Sequence, residues 1–250
     1  MRFSVSVGAV FHGRSTVEAM KTTRAAGLDA VEFWGWWDQD LPAIRACQAG
    51  EGLSVAALCT RFVSLVDPAQ RTAYLDALKE TIDVAASLGC PNIISQVGND
   101  RTGVSREEQH RSLVEGLRAS APLLEAAGIT LVFEPLNTLV DHAGYYLTSA
   151  DEAFRIEEEV ASPRVKVLYD IYHQQIMDGH LISRIRGNIG RIGHFHAAGN
   201  PGRHELDNGE IHYPAVFRAI EETGYDGFVG LEYFPLRDPV EGLRQVLADR

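Results

Sequence analysis

The sequence has few basic residues for its length and no long apolar run. Its 250 residues include 23 Lys and Arg against 34 Asp and Glu, a formal net charge of -11. A phosphate backbone attracts clustered cations, so we do not expect a nucleic acid partner. No apolar run approaches the roughly 20 residues that cross a bilayer, and residues 1–7 alternate like a strand and lack the apolar core of a signal peptide. We therefore expect a cytoplasmic protein without a membrane partner.

Cysteine pairs and glycine-rich motifs are also missing. Cys47, Cys59 and Cys90 lack the close spacing of zinc or redox motifs, and we interpret them as reduced packing residues. The alternative for Cys59 is a reactive thiol near a site. Residues 8–13, Gly-Ala-Val-Phe-His-Gly, do not match the GxGxxG turn that follows the first strand of dinucleotide-binding sheets. This mismatch argues against an open, doubly wound sheet.

Short apolar runs rich in Val, Ile and Phe alternate with longer amphipathic segments along the whole chain, which is typical of repeated βα units. Stretches such as 68–88 and 105–127 are long enough to connect parallel strands. Eight units average about 31 residues each, the size of a βαβ building block. We therefore predict an α/β fold, a single (β/α)₈ TIM barrel domain over residues 1–250. The predicted strands are 3–7, 30–34, 54–59, 92–97, 130–135, 165–170, 191–197 and 227–232.

Helix boundaries have their own signals. Ser15, Ser105 and Ser149 each precede carboxylates in the expected first helical turn, the arrangement that caps a helix amino terminus. Glycines such as Gly27 and Gly89 lie just before predicted strands, where a left-handed residue ends a helix. The longest predicted loop, about 198–213, is polar, and long polar loops in compact domains are often functional.

Ionisable side chains lie at the carboxyl ends of four consecutive predicted strands. They are Glu134, Asp170, His196 and Glu232. The active site of such a barrel lies at the carboxyl ends of the strands. Buried carboxylates are costly unless paired or bound to a cation, and three carboxylates with one imidazole suit Mg²⁺, Mn²⁺ or Co²⁺. A substrate with adjacent carbonyl and hydroxyl oxygens can fill the remaining positions of one divalent metal ion, which then polarises the carbonyl and acidifies the neighbouring C–H.

Each residue has a plainer interpretation when it is taken alone. Glu134 or Glu232 could cap the next helix or pair with an arginine, and Asp170 could cap a turn. His196 could be a core histidine whose hydrogen bonds are satisfied. Their succession on four strands favours the metal site.

Five stretches around these positions carry a family resemblance. They are residues 134–137, 169–176, 193–196, 201–205 and 224–233. Through them the chain resembles, over nearly its whole length, the xylose isomerase-like barrel superfamily, and most closely the hydroxypyruvate isomerase family and its ketose 3-epimerase relatives. One difference is His196, because the hydroxypyruvate isomerase family commonly has Gln there, whereas the epimerases have His.

The resemblance implies that the four residues hold the metal and that Glu134 and Glu232 are the catalytic acid and base. One glutamate removes a proton beside the carbonyl, a cis-enediolate forms, and the other returns a proton. The resemblance also makes His173 and Arg203 substrate-binding residues. Arg203 can hold an anionic oxygen through its planar fork, and its alternative is a surface ion pair with Glu205.

Other residues near predicted strand ends are weaker candidates for the site. Trp34, Trp36 and Trp37 follow the second strand and can wall a sugar site, with packing or a subunit interface as the alternative. Further candidates for contacts with substrate or behind the ligands are Glu32, His12, Arg61 and Gln96.

The sequence therefore predicts a metal-dependent isomerase of a small sugar or hydroxy-keto acid, such as hydroxypyruvate. A ketose 3-epimerase is the close alternative, since both reactions pass through an enediolate. Weaker alternatives are a dehydratase of the inositol-catabolic type, an endonuclease and a non-catalytic sugar-binding barrel. The net charge argues against the endonuclease. A homo-oligomer, as a dimer or tetramer, fits the resemblance and the usual closed symmetry of assemblies.

Overall fold

Eight parallel strands close into a barrel in the computed structural model, which describes residues 1–248. The strands follow chain order around the ring, and the first pairs with the last, with Arg2 beside Phe228 and Val5 beside Leu231. The predicted TIM barrel is confirmed, and every predicted strand overlaps an observed one. The strands are β1 Arg2–Ser6, β2 Ala30–Phe33, β3 Ser54–Cys59, β4 Asn92–Ser95, β5 Thr130–Phe133, β6 Val165–Asp170, β7 Ile192–Ala197 and β8 Phe228–Leu231.

Helices connect the strands and surround the ring. None of the helices within residues 1–248 is long and apolar enough to cross a membrane. Short 3₁₀ turns at Pro68–Gln70 and Ile189–Arg191 precede a helix and a strand, respectively. The helices are α1 Val7–Val10, α2 Thr16–Ala26, α3 Leu41–Glu51, α4 Arg71–Leu88, α5 Arg106–Ala127, α6 Ala150–Val160, α7 Ile171–Met177, α8 Leu181–Asn188, α9 Tyr213–Glu222 and α10 Pro239–Ala248.

Two of the three predicted caps are confirmed. Ser15 and Ser105 form capping boxes at the starts of α2 and α5, and α2 ends at Gly27 in the left-handed conformation. The prediction for Ser149 is wrong, because its hydroxyl makes no capping bond and donates instead to Asp178 at 3.2 Å. The Asp178 carboxylate accepts the first N–H of α6, so a residue distant in sequence replaces the local cap.

The two faces of the strands pack differently. Outward side chains such as Phe3, Val31 and Leu131 join the large apolar core between the ring and the helices. Inward side chains of β3 to β6 form a separate apolar cluster of Ala57, Cys59, Ile94, Val132 and Leu168. This period-two alternation fixes which side chains face the barrel interior and, at the carboxyl ends, the mouth.

Candidate active site and metal centre

The four predicted metal ligands converge at the mouth of the barrel. Glu134 and Glu232 directly follow β5 and β8, Asp170 ends β6, and His196 lies in β7. All four are buried. His196 Nδ1 lies 3.7 Å from Glu134 Oε1 and 3.4 Å from Glu232 Oε2. Ligand atoms of Asp170, His196 and Glu232 lie within 4.8 Å of one another, as required of residues that share one ion.

Unpartnered atoms within this group favour a cation. Glu134 Oε1 and His196 Nδ1 are buried and have no hydrogen-bond partner. Buried polar atoms are normally bonded, so each such exception calls for an explanation. Carboxylate oxygens with one imidazole nitrogen are the donors that Mg²⁺, Mn²⁺ and Co²⁺ accept, and the residues present therefore fit a divalent ion.

The capping alternative for Asp170 applies to only one of its oxygens. Oδ1 accepts the backbone N–H groups of Tyr172 at 2.8 Å and His173 at 3.2 Å, which caps the start of α7. Oδ2 faces the site and lies 3.5 Å from His173 Nε2. The side chain is thus held by the helix that it caps while one oxygen stays directed at the mouth.

The pKa values of the two glutamates are shifted in opposite directions. Burial raises the pKa of Glu134 to about 7, against the lowering effect of His196. Burial also raises the pKa of Glu232, but the charges of His196 and Arg203 outweigh it and hold that pKa well below the usual range. At neutral pH Glu232 is therefore ionised, while Glu134 binds a proton part of the time.

Glu232 also has more hydrogen-bond partners than Glu134. Trp34 Nε1 donates to Glu232 Oε1 at 2.7 Å, and Arg203 donates to Oε2. Arg203 lies 3.9 Å from Asp170 as well. The surface alternative for Arg203 is wrong, because the Glu205 carboxylate accepts backbone N–H groups of the segment after β8 instead.

A hydrogen-bond network fixes the ring of His173. Its Nδ1 accepts from the backbone N–H of Asn137 at 3.3 Å and from Asn137 Nδ2 at 2.7 Å. Asn137 Oδ1 accepts two backbone N–H groups and its Nδ2 also donates to Asp141, which sets the orientation of the amide. Burial, together with the charges of Arg203 and His142, lowers the pKa of His173 well below its usual range. His173 is therefore neutral, with its proton on the unpartnered Nε2.

Behind the ligands lies Glu32, on β2. Its Oε2 lies 3.0 Å from Nε2 of both His194 and His196, and its Oε1 accepts from Ser4 Oγ at 2.8 Å. Burial opposes its ionisation, but the charges of His194 and His196 lower the pKa of Glu32 to about 2. Residues of β1, β2 and β7 thus meet across the barrel interior.

Three of the four residues, Glu134, His196 and Glu232, line a cavity of about 480 Å³. Trp34, Gln96, His173 and Arg203, all predicted substrate contacts, line it. Trp37 lines it as well, whereas Trp36 donates to Thr81 and packs against Arg61, as the packing alternative holds. Phe62 and His142 are among the lining residues that the sequence did not predict. The sequence feature that could have indicated them is an aromatic ring or an imidazole in the loops that follow β3 and β5.

Three further candidates near the strand ends do not supply a reactive group to the cavity. His12 is exposed beyond α1. Arg61 pairs with Glu80 and packs over tryptophan rings. Cys59 lines the cavity, but burial and the nearby charges of Glu232 and Glu134 raise the pKa of its thiol well above the usual range. The reactive-thiol alternative for Cys59 is therefore not supported, because the thiolate is disfavoured.

Comparison with known proteins places the chain in a family. A family model described as a xylose isomerase-like TIM barrel matches residues 20–249. The hydroxypyruvate isomerase of Escherichia coli K12 is 32% identical over 253 residues, which cover 98% of this chain and 97% of that protein.

Solved structures share the fold over the whole chain. One described as AP endonuclease, family 2, from Brucella melitensis has a TM-score of 0.94 and 29% identity, covering 100% of this chain and 99% of that one. An L-ribulose 3-epimerase has a TM-score of 0.84 and 22% identity, covering 99% of this chain and 92% of that one. At that identity the second similarity concerns the fold alone.

Proposed function

Because the chain belongs to the family of xylose isomerase-like TIM barrels, we propose that it is a divalent-metal-dependent isomerase of a small hydroxy-carbonyl acid, similar to hydroxypyruvate isomerase. The protein is an enzyme of the isomerase and epimerase class. The observation that carries the proposal is the grouping of Asp170, His196 and Glu232 within 4.8 Å of one another, with Glu134 Oε1 3.7 Å from His196 Nδ1 and both of these last atoms unpartnered.

The metal-binding residues in this proposal are Glu134, Asp170, His196 and Glu232, and the ion is Mn²⁺, Mg²⁺ or Co²⁺. When bound, such an ion polarises a substrate carbonyl and acidifies the neighbouring C–H. Its two positive charges also offset the carboxylates gathered at the mouth.

The two glutamates transfer the protons. Glu232 is ionised and oriented by Trp34 and Arg203, so it is ready to take a proton from carbon. Glu134, with a pKa of about 7, can release or take up a proton at neutral pH. Because they follow β8 and β5, on different sides of the mouth, they can reach two positions of a flat enediolate. One glutamate removes a proton and the other delivers one.

His173 and Arg203 bind the substrate oxygens. His173 is held as a donor by Asn137 and directs Nε2–H at the site. The guanidinium of Arg203 lies beside Glu232, where it would stabilise negative charge that develops on an enediolate oxygen. Trp34 and Gln96 lie on the cavity wall and contact the rest of the substrate.

A ketose 3-epimerase is the second candidate, and the size and lining of the cavity favour it. A space of about 480 Å³ with Trp34, Trp37 and Phe62 on its wall leaves room for a sugar chain longer than a three-carbon acid. Aromatic faces commonly pack against the apolar faces of sugars. The epimerase uses the same residues and differs in the carbon that receives the proton.

The test is proton exchange with a panel of substrates. Metal-loaded protein is incubated in D₂O with hydroxypyruvate, tartronate semialdehyde and common ketoses, and NMR follows products and deuterium. We expect turnover of one compound, reduced about 10²- to 10⁴-fold in Glu134→Gln and in Glu232→Gln. The labelled carbon distinguishes isomerase from epimerase. A wild-type chain that binds no divalent metal would contradict the proposal.

A further inference from the structure

One buried carboxylate beneath the site has no role in the function proposed above. Glu32, on β2, is 2% exposed. Ser4 of β1 donates to one of its oxygens, while the imidazoles of His194 and His196 in β7 lie at the other. Burying a charge is costly unless its hydrogen bonds are satisfied, and here three polar side chains satisfy one carboxylate. Such a concentration of polar groups inside a barrel calls for a function.

The two ring nitrogens of His196 face opposite ways. Nε2 lies 3.0 Å from Glu32, and Nδ1 lies 3.4 Å from Glu232 and 3.7 Å from Glu134. A neutral imidazole has one N–H and one lone pair, and an acceptor at one nitrogen keeps the proton there. When the His196 ring is neutral, the Glu32 oxygen at 3.0 Å favours the proton on Nε2 and leaves the lone pair on Nδ1, the nitrogen that faces the other ligands.

The neighbouring strand leaves space for this contact. Gly230 of β8 pairs with Ser4 on one side and His196 on the other. A Cβ added at position 230 would lie 2.0 Å from Glu32 Oε1 and 2.7 Å from His196 Cδ2, both too close for an unchanged structure. A residue larger than glycine would push Glu32 and His196 out of place, so β8 is adapted to their contact.

A second cation site is the competing explanation. Ligand atoms of Glu32, His194 and His196 lie within 4.8 Å of one another. However, both imidazoles lie at 3.0 Å from the same oxygen, which is a hydrogen-bond distance, and Ser4 occupies the other oxygen. Three protein side chains already bond to the two oxygens of the carboxylate, which favours a role in orientation.

We propose that Glu32 is a positioning residue for the metal centre. Its carboxylate accepts the Nε2–H of His196 and so holds the ring with Nδ1 facing the cation. His194 bonds to the same oxygen and keeps the carboxylate directed at β7. This inference rests on the proposed function, because it takes His196 to be a ligand. It adds that the ligand is oriented by a carboxylate on β2, which β8 and β1 separate from β7 around the ring.

The test measures Mn²⁺ affinity of the metal-stripped full chain by competition with a chelator. We expect Glu32→Leu to weaken Mn²⁺ binding about 10- to 100-fold, the usual effect of removing a group that orients a ligand. Glu32→Gln keeps an acceptor oxygen and should weaken it less. The matched control is Ser4→Ala, which removes a bond to the same carboxylate but leaves the His196 contact, and it should stay near the wild-type affinity.

A second measurement reads the tautomer directly. In Mg²⁺-loaded protein, ¹⁵N NMR of the histidine side chains should show the His196 proton on Nε2 in the wild type and in Glu32→Gln. This reading decides the question if Glu32→Leu fails to fold. A His196 proton on Nδ1 in the wild type would overturn the proposal.

Two other results would also overturn it. One is wild-type Mn²⁺ affinity in folded Glu32→Leu. The other is two Mn²⁺ per wild-type chain, of which Glu32→Leu loses one and leaves the other unchanged, because Glu32 would then be a ligand itself. Both results leave the proposed function standing. A wild-type chain that binds no Mn²⁺ overturns the proposed function and this inference together, so the two failures are distinguishable.

Discussion

The two halves of the barrel interior differ in chemistry. On the side of β3 to β6 the inward layer is apolar, with Ala57, Ile94, Val132 and Leu168. On the side of β7, β8, β1 and β2 the inward layer is polar or empty of side chain, with His194, Gly230, Ser4 and Glu32. Each half supports one of the two proposed catalytic glutamates at the mouth, Glu134 above the apolar half and Glu232 above the polar half.

This difference teaches that the surroundings, and not the residue type, set the proton affinity at this site. Glu134 is desolvated, has an unpartnered Oε1, and has a pKa of about 7. Glu232 is equally buried but accepts bonds from Trp34 and Arg203, and its pKa is well below the usual range. In the proposed function, this difference assigns two identical side chains to different parts of a proton transfer.

The largest expected difference between the two glutamates is in the effect of their mutation on the free energy of unfolding. In metal-free protein at about pH 8, Glu232→Gln should lower the free energy of unfolding by about 2 kcal/mol, because Arg203 loses its charged partner while buried. Glu134→Gln removes a buried charge without a strong partner and should leave stability unchanged or raise it. Denaturant titration with a chelator present measures both. Equal losses in the two variants would contradict the comparison.

Above the apolar half, Asn137 in the loop after β5 fixes the orientation of the His173 ring. Mutation of Asn137 tests whether this orientation matters. Asn137→Leu removes the side-chain donor to His173 Nδ1 at 2.7 Å and leaves only the backbone N–H at 3.3 Å, so the ring is held less firmly with its proton on Nε2. We expect kcat/KM to fall about tenfold, the effect of one hydrogen bond, with Mn²⁺ affinity unchanged. Steady-state kinetics and metal titration separate the two effects.

The control for that variant is Asp141→Asn, which keeps an oxygen able to accept from Asn137 Nδ2. It should reduce kcat/KM less than Asn137→Leu does. If both variants have wild-type kinetics, then the orientation of His173 does not matter for the reaction.

The smallest expected effect concerns pH. A carboxyl must lose its proton before it binds a cation, and the pKa of Glu134 is raised to about 7. Mn²⁺ affinity should therefore fall as the pH drops below about 7, by at most about tenfold per pH unit from this group. Glu232, already ionised, contributes nothing in this range. Glu134→Gln should flatten the pH dependence, and an unchanged slope would show that another group, such as His196, accounts for it.

Much of the fold could be read from the sequence because each strand is a buried apolar run between amphipathic helices. The mouth residues were predictable for the same reason, since a charge that closes such a run stands out. Glu32 was only a weak candidate, because its partners lie 162 and 164 positions away across the interior. The spacing of His194 and His196, which places both on one face of β7, was the available signal.

Loops limited the prediction elsewhere. For Arg203 the sequence suggested a surface pair with Glu205 as the alternative, whereas the path of the 198–212 segment places Arg203 beside Glu232. Ser149 looked like a helix cap, but Asp178 reached the same N–H from another segment. In both cases the outcome depends on tertiary contacts, which local sequence does not encode.

The pairing of β1 with β8 has a consequence for the order of assembly. Ser4, Glu32, His196 and Gly230 come from near both ends of the chain, and they meet only when the ring is closed. A partly folded ring can hold Glu134 and Asp170 on neighbouring strands, but it lacks the oriented imidazole and Glu232. If the chain binds a cation as proposed, tight binding would require that the last strand has paired with the first, and metal affinity would then measure completed folding.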